Sequence, residues 1–305
     1  MNLQELYFIL CINKHQNLTS ASRELYISQP TLSKFLKRVE QELGGKLFSH
    51  TSSGYRPTYL GKRYMEYAKK MIALHEGFEK ELSDIVSNQD GELNIAFPLM
   101  RSSCIIPEIL PVFHDIYPGI RLNFLEESSA IQERLLLDSQ IDFAIFSESH
   151  PHPQLTYETL LEEEVLLVIS SEHPLAARGV HREDRKYPWM DLHLFAEEKF
   201  VLHFPEQTTG AFALELFEEY NIFPPVPYHT RNTQTAVLLS QQGLGACFVP
   251  ESYLKSMSLS RTPACFCVGE KRSSTTLSIA YQKGTYLSSY ARDFIRITRE
   301  YLAEG

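Results

Sequence analysis

Apolar positions along residues 1 to 48 recur at spacings of three and four, the period of a helix that buries one face. Leu3, Leu6 and Leu10, then Ala21 with Leu25, then Leu32, Phe35, Leu36, Val39 and Leu43 predict three short helices around one small core. Thr19 and Ser28 each precede a helical run, where a side-chain oxygen can accept from first-turn amides, and Pro30 suits a first turn. The third helix is therefore expected to start at Ser28 or Gln29. Gly44-Gly45 ends it, Leu47-Phe48 opens a strand, and SHTSSGY forms a polar turn before Arg56 and Pro57. Three helices and such a hairpin predict a winged helix-turn-helix.

Gln29, Thr31, Ser33, Lys34, Lys37 and Arg38 fall outside the apolar stripe of the third helix. A lone amphipathic helix with a solvated face reads the same way; the neighbouring helices and wing favour a helix that lies in a DNA groove. Gln and Thr can read base edges there, and Lys and Arg hold the phosphate backbone. The expected DNA contacts are Thr19, Ser28, Gln29, Pro30, Thr31, Ser33, Lys34, Lys37 and Arg38, with His50 and Arg56 from the wing.

Residues 58–88 carry Tyr64, Tyr67, Met71, Leu74, Phe78, Leu82 and Ile85 at alternating spacings of three and four. A stripe this long on one helix needs a partner, either the following domain or the same helix of a second subunit. SNQDGE at 87–92 breaks the helix, and strand-like and helical stretches then alternate. Strand-like runs fall at 93–97, 120–125, 141–146, 165–170, 200–204, 226–229, 246–249 and 277–281. Helical runs fall at 105–117, 131–137, 211–220, 233–242 and 286–302. This order predicts α/β architecture with mostly parallel strands.

Together these residues resemble the LysR-type transcriptional regulators. Ala21-Ser22 and Leu25 match the family's second helix, and Ser28-Gln29-Pro30 with Leu32-Ser33 its recognition-helix opening. Glu40, Leu43-Gly44 and Leu47-Phe48 match the run into the wing, and Thr58 with Gly61 its exit. His50 and Ser53 stand where the family usually carries basic wing residues, which implies weaker phosphate anchoring and leaves Arg56 as the wing's main charge.

The resemblance implies a winged helix-turn-helix at 1–62, a dimerisation helix at 58–88, and an effector domain at 92–305. That domain should be two-lobed and periplasmic-binding-protein-like (type 2), with lobe I at 92–161 and 267–305, lobe II at 162–266, and two crossovers making a hinged cleft. It further implies a homodimer or homotetramer, double-stranded DNA as partner, a small-molecule effector, and RNA polymerase as a further partner.

Ligands in such folds sit at strand ends facing helix N-termini. Arg101, Ser102 and Ser103, Ser128 and Ser129, Thr208 and Thr209, and Asn232 occupy four such places, with Phe146 and Phe204 as a candidate apolar wall. Hydroxyls, amides and Arg101 would suit a carboxylate or other anion. Simple helix capping and core packing explain each residue singly; the four matching positions favour the cleft.

The chain's net charge is −9, yet residues 1–70 hold 11 Lys or Arg against 5 Asp or Glu, a balance of +6 that leaves −15 for the remainder. The basic end suits nucleic acid. Cys11, Cys104, Cys247, Cys265 and Cys267 include no CxxC pair, and their odd number implies no disulfide framework. Some LysR relatives sense oxidants through cysteines near 199–208, a stretch that has none here. Cys104, expected at a helix start, is the residue that would carry a redox role through a lowered pKa.

The histidine pair in His150-Pro151-His152 lacks nearby ligands, and no GxSxG, Walker or HExxH motif occurs, so neither a metal site, a cofactor nor a catalytic residue is expected. No signal segment or long apolar run appears at the N-terminus, which favours the cytoplasm and no membrane contact. The expected function is ligand-responsive transcription regulation. A solute-binding protein of the periplasmic type and a cysteine-based redox-sensing regulator stay open as alternatives.

Overall fold

A computed structural model describes residues 2–51, 54–86, 91–147, 151–259, 261–270 and 274–304. Ser53 and His150 lie outside the described residues, as does the side chain of Ile85. The chain divides into two compact units, Met1–Ile85 and Val86–Gly305.

The first unit opens with α1 (Leu3–His15), capped by Asn2, whose side chain accepts from the Glu5 amide while Glu5 accepts from the Asn2 amide. In α2 (Leu18–Glu24) the cap is Asn17, whose Oδ1 accepts from Thr19 and Ser20. Thr19 is thus inside the helix instead of preceding it: Asn17 reaches the free amides first. In α3 (Gln29–Glu42) Ser28 is the cap and Pro30 sits in the first turn, as the sequence led us to expect. Leu32, Phe35, Leu36 and Val39 pack with Ile9, Ile12 and Ala21 in a single core.

The wing is a hairpin of β1 (Phe48–Thr51) and β2 (Gly54–Pro57). Glu40 is buried beneath it; one oxygen accepts from the Leu47 and Phe48 amides at 2.9 and 3.2 Å, the other pairs with Lys46 at 2.8 Å. The long α4 (Tyr59–Val86) leaves the wing through Thr58, whose hydroxyl donates to the Lys46 carbonyl at 2.6 Å and accepts from Gly61. A side chain at Gly61 would put Cβ 2.0 Å from the Leu47 carbonyl oxygen, so only glycine lets α4 approach the wing this closely. Met65, Ala68 and Ile72 turn inward, the last two meeting Leu6 of α1.

The second unit has two packing centres. In the first, the sheet runs β4 (Ile120–Glu126), β3 (Gly91–Phe97), β5 (Phe143–Ser147), β11 (Ser274–Gln282) and the first part of β6 (Leu155–Ile169). Helices α5 (Leu99–Ile116), α6 (Ser129–Leu137) and α10 (Ser289–Glu304) cover it, around Ile95, Phe97, Phe113, Phe143, Ile279 and Phe294. In the second, the end of β6 pairs with β9 (Cys247–Pro250) and β10 (Ala264–Phe266). A two-stranded parallel pair, β7 (Val201–Leu202) with β8 (Tyr228–His229), is tied to the start of β9 by the Val201 amide, which donates to the Ala246 carbonyl at 2.8 Å. Helices α7 (Thr208–Glu219), α8 (Thr233–Gln241) and α9 (Glu251–Ser256) complete this half around Phe195, Phe200, Phe217 and Phe248.

Two expectations change. The sheet is mixed: β3 pairs in parallel with β4 and β5, whereas β6 and β11 run antiparallel to their neighbours because they carry the chain between the halves. The strand expected at 165–170 begins at Leu155, since Glu158 and Glu162–Glu164 interrupt the apolar pattern of a strand that nevertheless pairs along its length with β11.

Candidate nucleic-acid interface and effector cleft

At the start of α3, Ser28, Gln29, Pro30 and Thr31 are exposed together, and the Ser28 and Thr31 hydroxyls lie 2.7 Å apart. Lys34 and Lys37 follow on the exposed surface with no salt bridge among the described residues, while Ser33 is half-buried. Arg38 differs. Its Nη2 donates to Glu5 Oε1 at 2.7 Å, and its guanidinium lies 5.6 Å from the Phe35 ring centre. That pair fastens α3 to α1 while the Arg38 side chain stays 56 % exposed. On the wing, Arg56 is exposed, and His50 packs edge-on against Tyr55 with ring centres 5.0 Å apart. The sequence did not single out Tyr26, which stands 96 % exposed in the turn before α3 with φ +53°. An aromatic residue in a short turn carries no periodic signal.

The cleft residues fall into three groups. Arg101 is a correction: it is inside α5, not ahead of it, because Pro98 already caps the helix and accepts from the Arg101 and Ser102 amides. The Arg101 side chain is 3 % exposed, pairs with Glu163 and Ser252, and stacks 4.2 Å over Tyr253. Its charge is neutralised before any ligand could meet it. Ser102 and Ser103 belong to the same turn. The Ser102 hydroxyl is buried 2.7 Å from the Leu99 carbonyl and 2.8 Å from Glu126, and Ser103 bonds back to Leu99.

Phe146 is the second correction: it is 1 % exposed and belongs to the core with Ala96, Leu136 and Ala280, so it forms no cleft wall. Phe204 stays 36 % exposed beneath the Arg231 guanidinium, 5.0 Å from its ring centre.

The remaining residues stand at the starts of α6, α7 and α8. Ser128 and Ser129 open α6 half-exposed, and neither makes a capping bond at the Ser128 position. Thr208 opens α7, and its hydroxyl donates to the Ser147 carbonyl at the end of β5, 3.4 Å away, so the α7 N-terminus faces the other half. Thr209 is beside it, half-buried. Any Cβ at Gly210 would lie 2.1 Å from the Phe204 carbonyl, which holds this first turn against the β7 loop. Asn232 caps α8 through the Thr235 amide.

Two residues here escaped the sequence reading. Gln207 donates to the Arg231 carbonyl at 3.1 Å, and its Oε1 is buried with no partner among the described residues. His203 is 4 % exposed, its Nε2 lies 3.2 Å from the Thr233 hydroxyl, and burial pulls its pKa down to about 4. A His in an apolar run and a Gln in a loop offer no pattern to detect.

The cysteines are all free. Cys104 lies within α5, not at its start, and burial raises the thiol instead of activating it. Burial likewise pushes Cys247 and Cys267 up to about 12. No helix among the described residues is long and apolar enough to cross a membrane.

An exposed polar helix with a wing, linked by α4 to a two-centred α/β domain, defines a one-chain DNA-binding sensor. Residues 3–62 match the bacterial regulatory helix-turn-helix protein family of LysR type, and residues 87–303 match the LysR substrate binding domain. The chain belongs to the LysR family of transcriptional regulators. It is 23 % identical to the uncharacterized HTH-type transcriptional regulator YcgK of Bacillus subtilis (strain 168), over 100 % of this chain and 96 % of that one. Its fold is similar to full-length OxyR from Pseudomonas aeruginosa, in a cysteine variant, with TM-score 0.73 and 19 % identity over 99 % and 94 % of the two chains. It is also similar in fold to full-length CbnR complexed with target DNA, with TM-score 0.60 and 18 % identity over 98 % and 99 %.

Proposed function

We propose that this regulator reads its operator through the first turns of α3 and holds it through Lys34, Lys37 and Arg56. The observation that carries this is the joint exposure of Ser28, Gln29 and Thr31 at the N-terminus of a helix whose opposite face is fully packed. Gln29 and Thr31 supply donors and acceptors for base edges, and Ser33 and the amide end of α3 lie next to the same groove. Arg38 acts one step back, orienting α3 from Glu5.

The effector cleft is proposed at Ser128, Ser129, Thr208, Thr209 and Phe204, between the two halves of the second unit. With Arg101 consumed by Glu163, the case for an anionic effector loses its cation. The Gln207 oxygen, without a partner among the described residues, would accept a hydrogen bond from a donor group of the effector. The effector shifts the equilibrium between arrangements of the halves only by its preference for one of them. Self-association through α4 presents two copies of α3 to a two-fold-related site. The chain performs no chemistry of its own, and its place of work is the cytoplasm, with the DNA.

The test is a footprint on operator fragments selected from random DNA, with and without small polar molecules. A footprint that stays unchanged when a molecule saturating the second unit is bound overturns the coupling. Protection with no sequence preference overturns base reading.

A further inference from the structure

Among the described residues, a thiol, an imidazole and a carboxylate come together away from both sites above. Cys11 and His15 are four residues apart on the last turns of α1, and Glu24 is the final residue of α2. The donor atoms Sγ, a ring nitrogen and a carboxylate oxygen all lie within 4.8 Å of one another. We propose that Cys11, His15 and Glu24 form a site for one divalent transition-metal ion of the zinc class, tying the ends of α1 and α2 together.

The ligand chemistry suits such an ion, since thiolate, imidazole and carboxylate are the three donors zinc takes from proteins. Two donors at i and i+4 share one helix face, and the third comes from a second helix packed on the same core. Neither helix has to move as a body. Tetrahedral donors around zinc stand about 3.3 to 3.6 Å apart. His15 Nε2 and Glu24 Oε2, now 2.5 Å apart, open to admit the ion, and the Cys11 sulfur turns from the Ala21 carbonyl, 3.7 Å away. The thiol proton leaves to solvent as the thiolate binds.

Lys14 donates to both Glu24 oxygens, at 2.9 Å to Oε1 and 3.0 Å to Oε2; with the ion on Oε2 it keeps Oε1 and orients the carboxylate from outside the ion's shell. Cys11 closes the site from below at 7 % exposure, whereas the side chains of His15 and Glu24 are 27 % and 43 % exposed. The fourth position therefore opens to water. Ion pairing alone accounts for Lys14 and His15 around Glu24; it gives no reason for a thiol to complete the triangle.

The experiment uses the full chain with cobalt(II) as a spectroscopic substitute and zinc for stoichiometry. One zinc per chain is expected after dialysis, with a thiolate-to-cobalt charge-transfer band in the near ultraviolet and tetrahedral visible bands. Cys11→Ser should lose the charge-transfer band, and His15→Gln and Glu24→Gln should lose stoichiometric zinc. The two latter substitutions are at partly exposed positions and keep the fold if Cys11→Ser does not. Absence of the band in the unsubstituted protein overturns the site. So does a band or a zinc stoichiometry that survives His15→Gln and Glu24→Gln unchanged.

Discussion

Glu40 has almost no apolar surface to contribute, yet it is 6 % exposed beneath the wing because three donors converge on it. Glu40→Ala strands two buried amides, each costing about 1 to 3 kcal/mol. The wing should loosen, and denaturant unfolding of the full chain should show a first unit weakened by on the order of 3 kcal/mol. An unchanged transition would refute that role. Gln29→Ala should cost roughly 1 to 3 kcal/mol at one base pair and leave random DNA binding unchanged. Lys34→Ala or Lys37→Ala should weaken all sequences alike and lower the slope of log K against log salt by about 1. Anisotropy titrations across a salt series separate the two patterns. At His203 the folded pKa is lowered, so the unfolded chain binds the extra proton first. Its contribution is present in full above the unfolded value near 6.5 and fades as pH falls from there toward 4. The chain should lose about 3 kcal/mol over that window relative to His203→Gln, read from urea midpoints at each pH.

Among elements, α4 shows most clearly what periodicity can and cannot specify. Tyr67, Met71, Leu74, Phe78 and Leu82 form an exposed row, from 42 % exposed at Leu82 to 78 % at Leu74. Tyr64 leaves that row and packs against the first unit's core, while Met65, Ala68 and Ile72 make a second, buried face that the single-stripe reading overlooked. Five large apolar residues in a row on a helix predict a helical partner, and Phe78→Glu with Leu74→Glu should convert the assembly to monomers in sedimentation velocity. A sedimentation coefficient equal to that of the unsubstituted chain would show that the row serves another purpose. Elements whose polar and apolar residues alternate cleanly, such as α3 and β3, were legible within a residue or two. Those ruled by tertiary pairing were not. The first ten residues of β6 are strand because β11 lies alongside, and α5 starts at Leu99 although Pro107 and Pro111 weaken its helical signature. The exposed polar face of α3 proposed to meet DNA was legible for the same reason as α3: its polar residues are the remainder left by an apolar stripe. The proposed cleft was expected only from strand ends followed by Ser and Thr. No local pattern reveals that Arg101 faces Glu163, 62 residues away.

At the scale of the whole effector unit, the strand joining its halves is bound on both sides by buried charge. Glu163 takes Arg101 from α5, and its second oxygen accepts from the Ser252 amide of α9 at 3.0 Å. Glu164, next in β6, pairs at 2.9 Å with Arg185, whose Nη2 also donates to the Glu270 carbonyl. These four side chains are 3 to 4 % exposed. A buried pair of this kind adds little net stability over an apolar replacement, but losing one partner leaves a bare charge at a cost of about 3 to 5 kcal/mol. Its consequence is geometric: α5 of one half and α9 of the other are both held to Glu163 on the crossover strand. Glu163→Gln should therefore destabilise the second unit by about 3 to 5 kcal/mol, whereas Arg101→Met with Glu163→Leu should recover most of the loss. If the pair also sets the hinge, the double substitution should restore the unfolding midpoint while blunting the change in operator footprint that an effector produces. Restoration of both stability and response would reduce the pair to a packing feature, leaving the Thr208 to Ser147 contact between the halves as the next position to substitute.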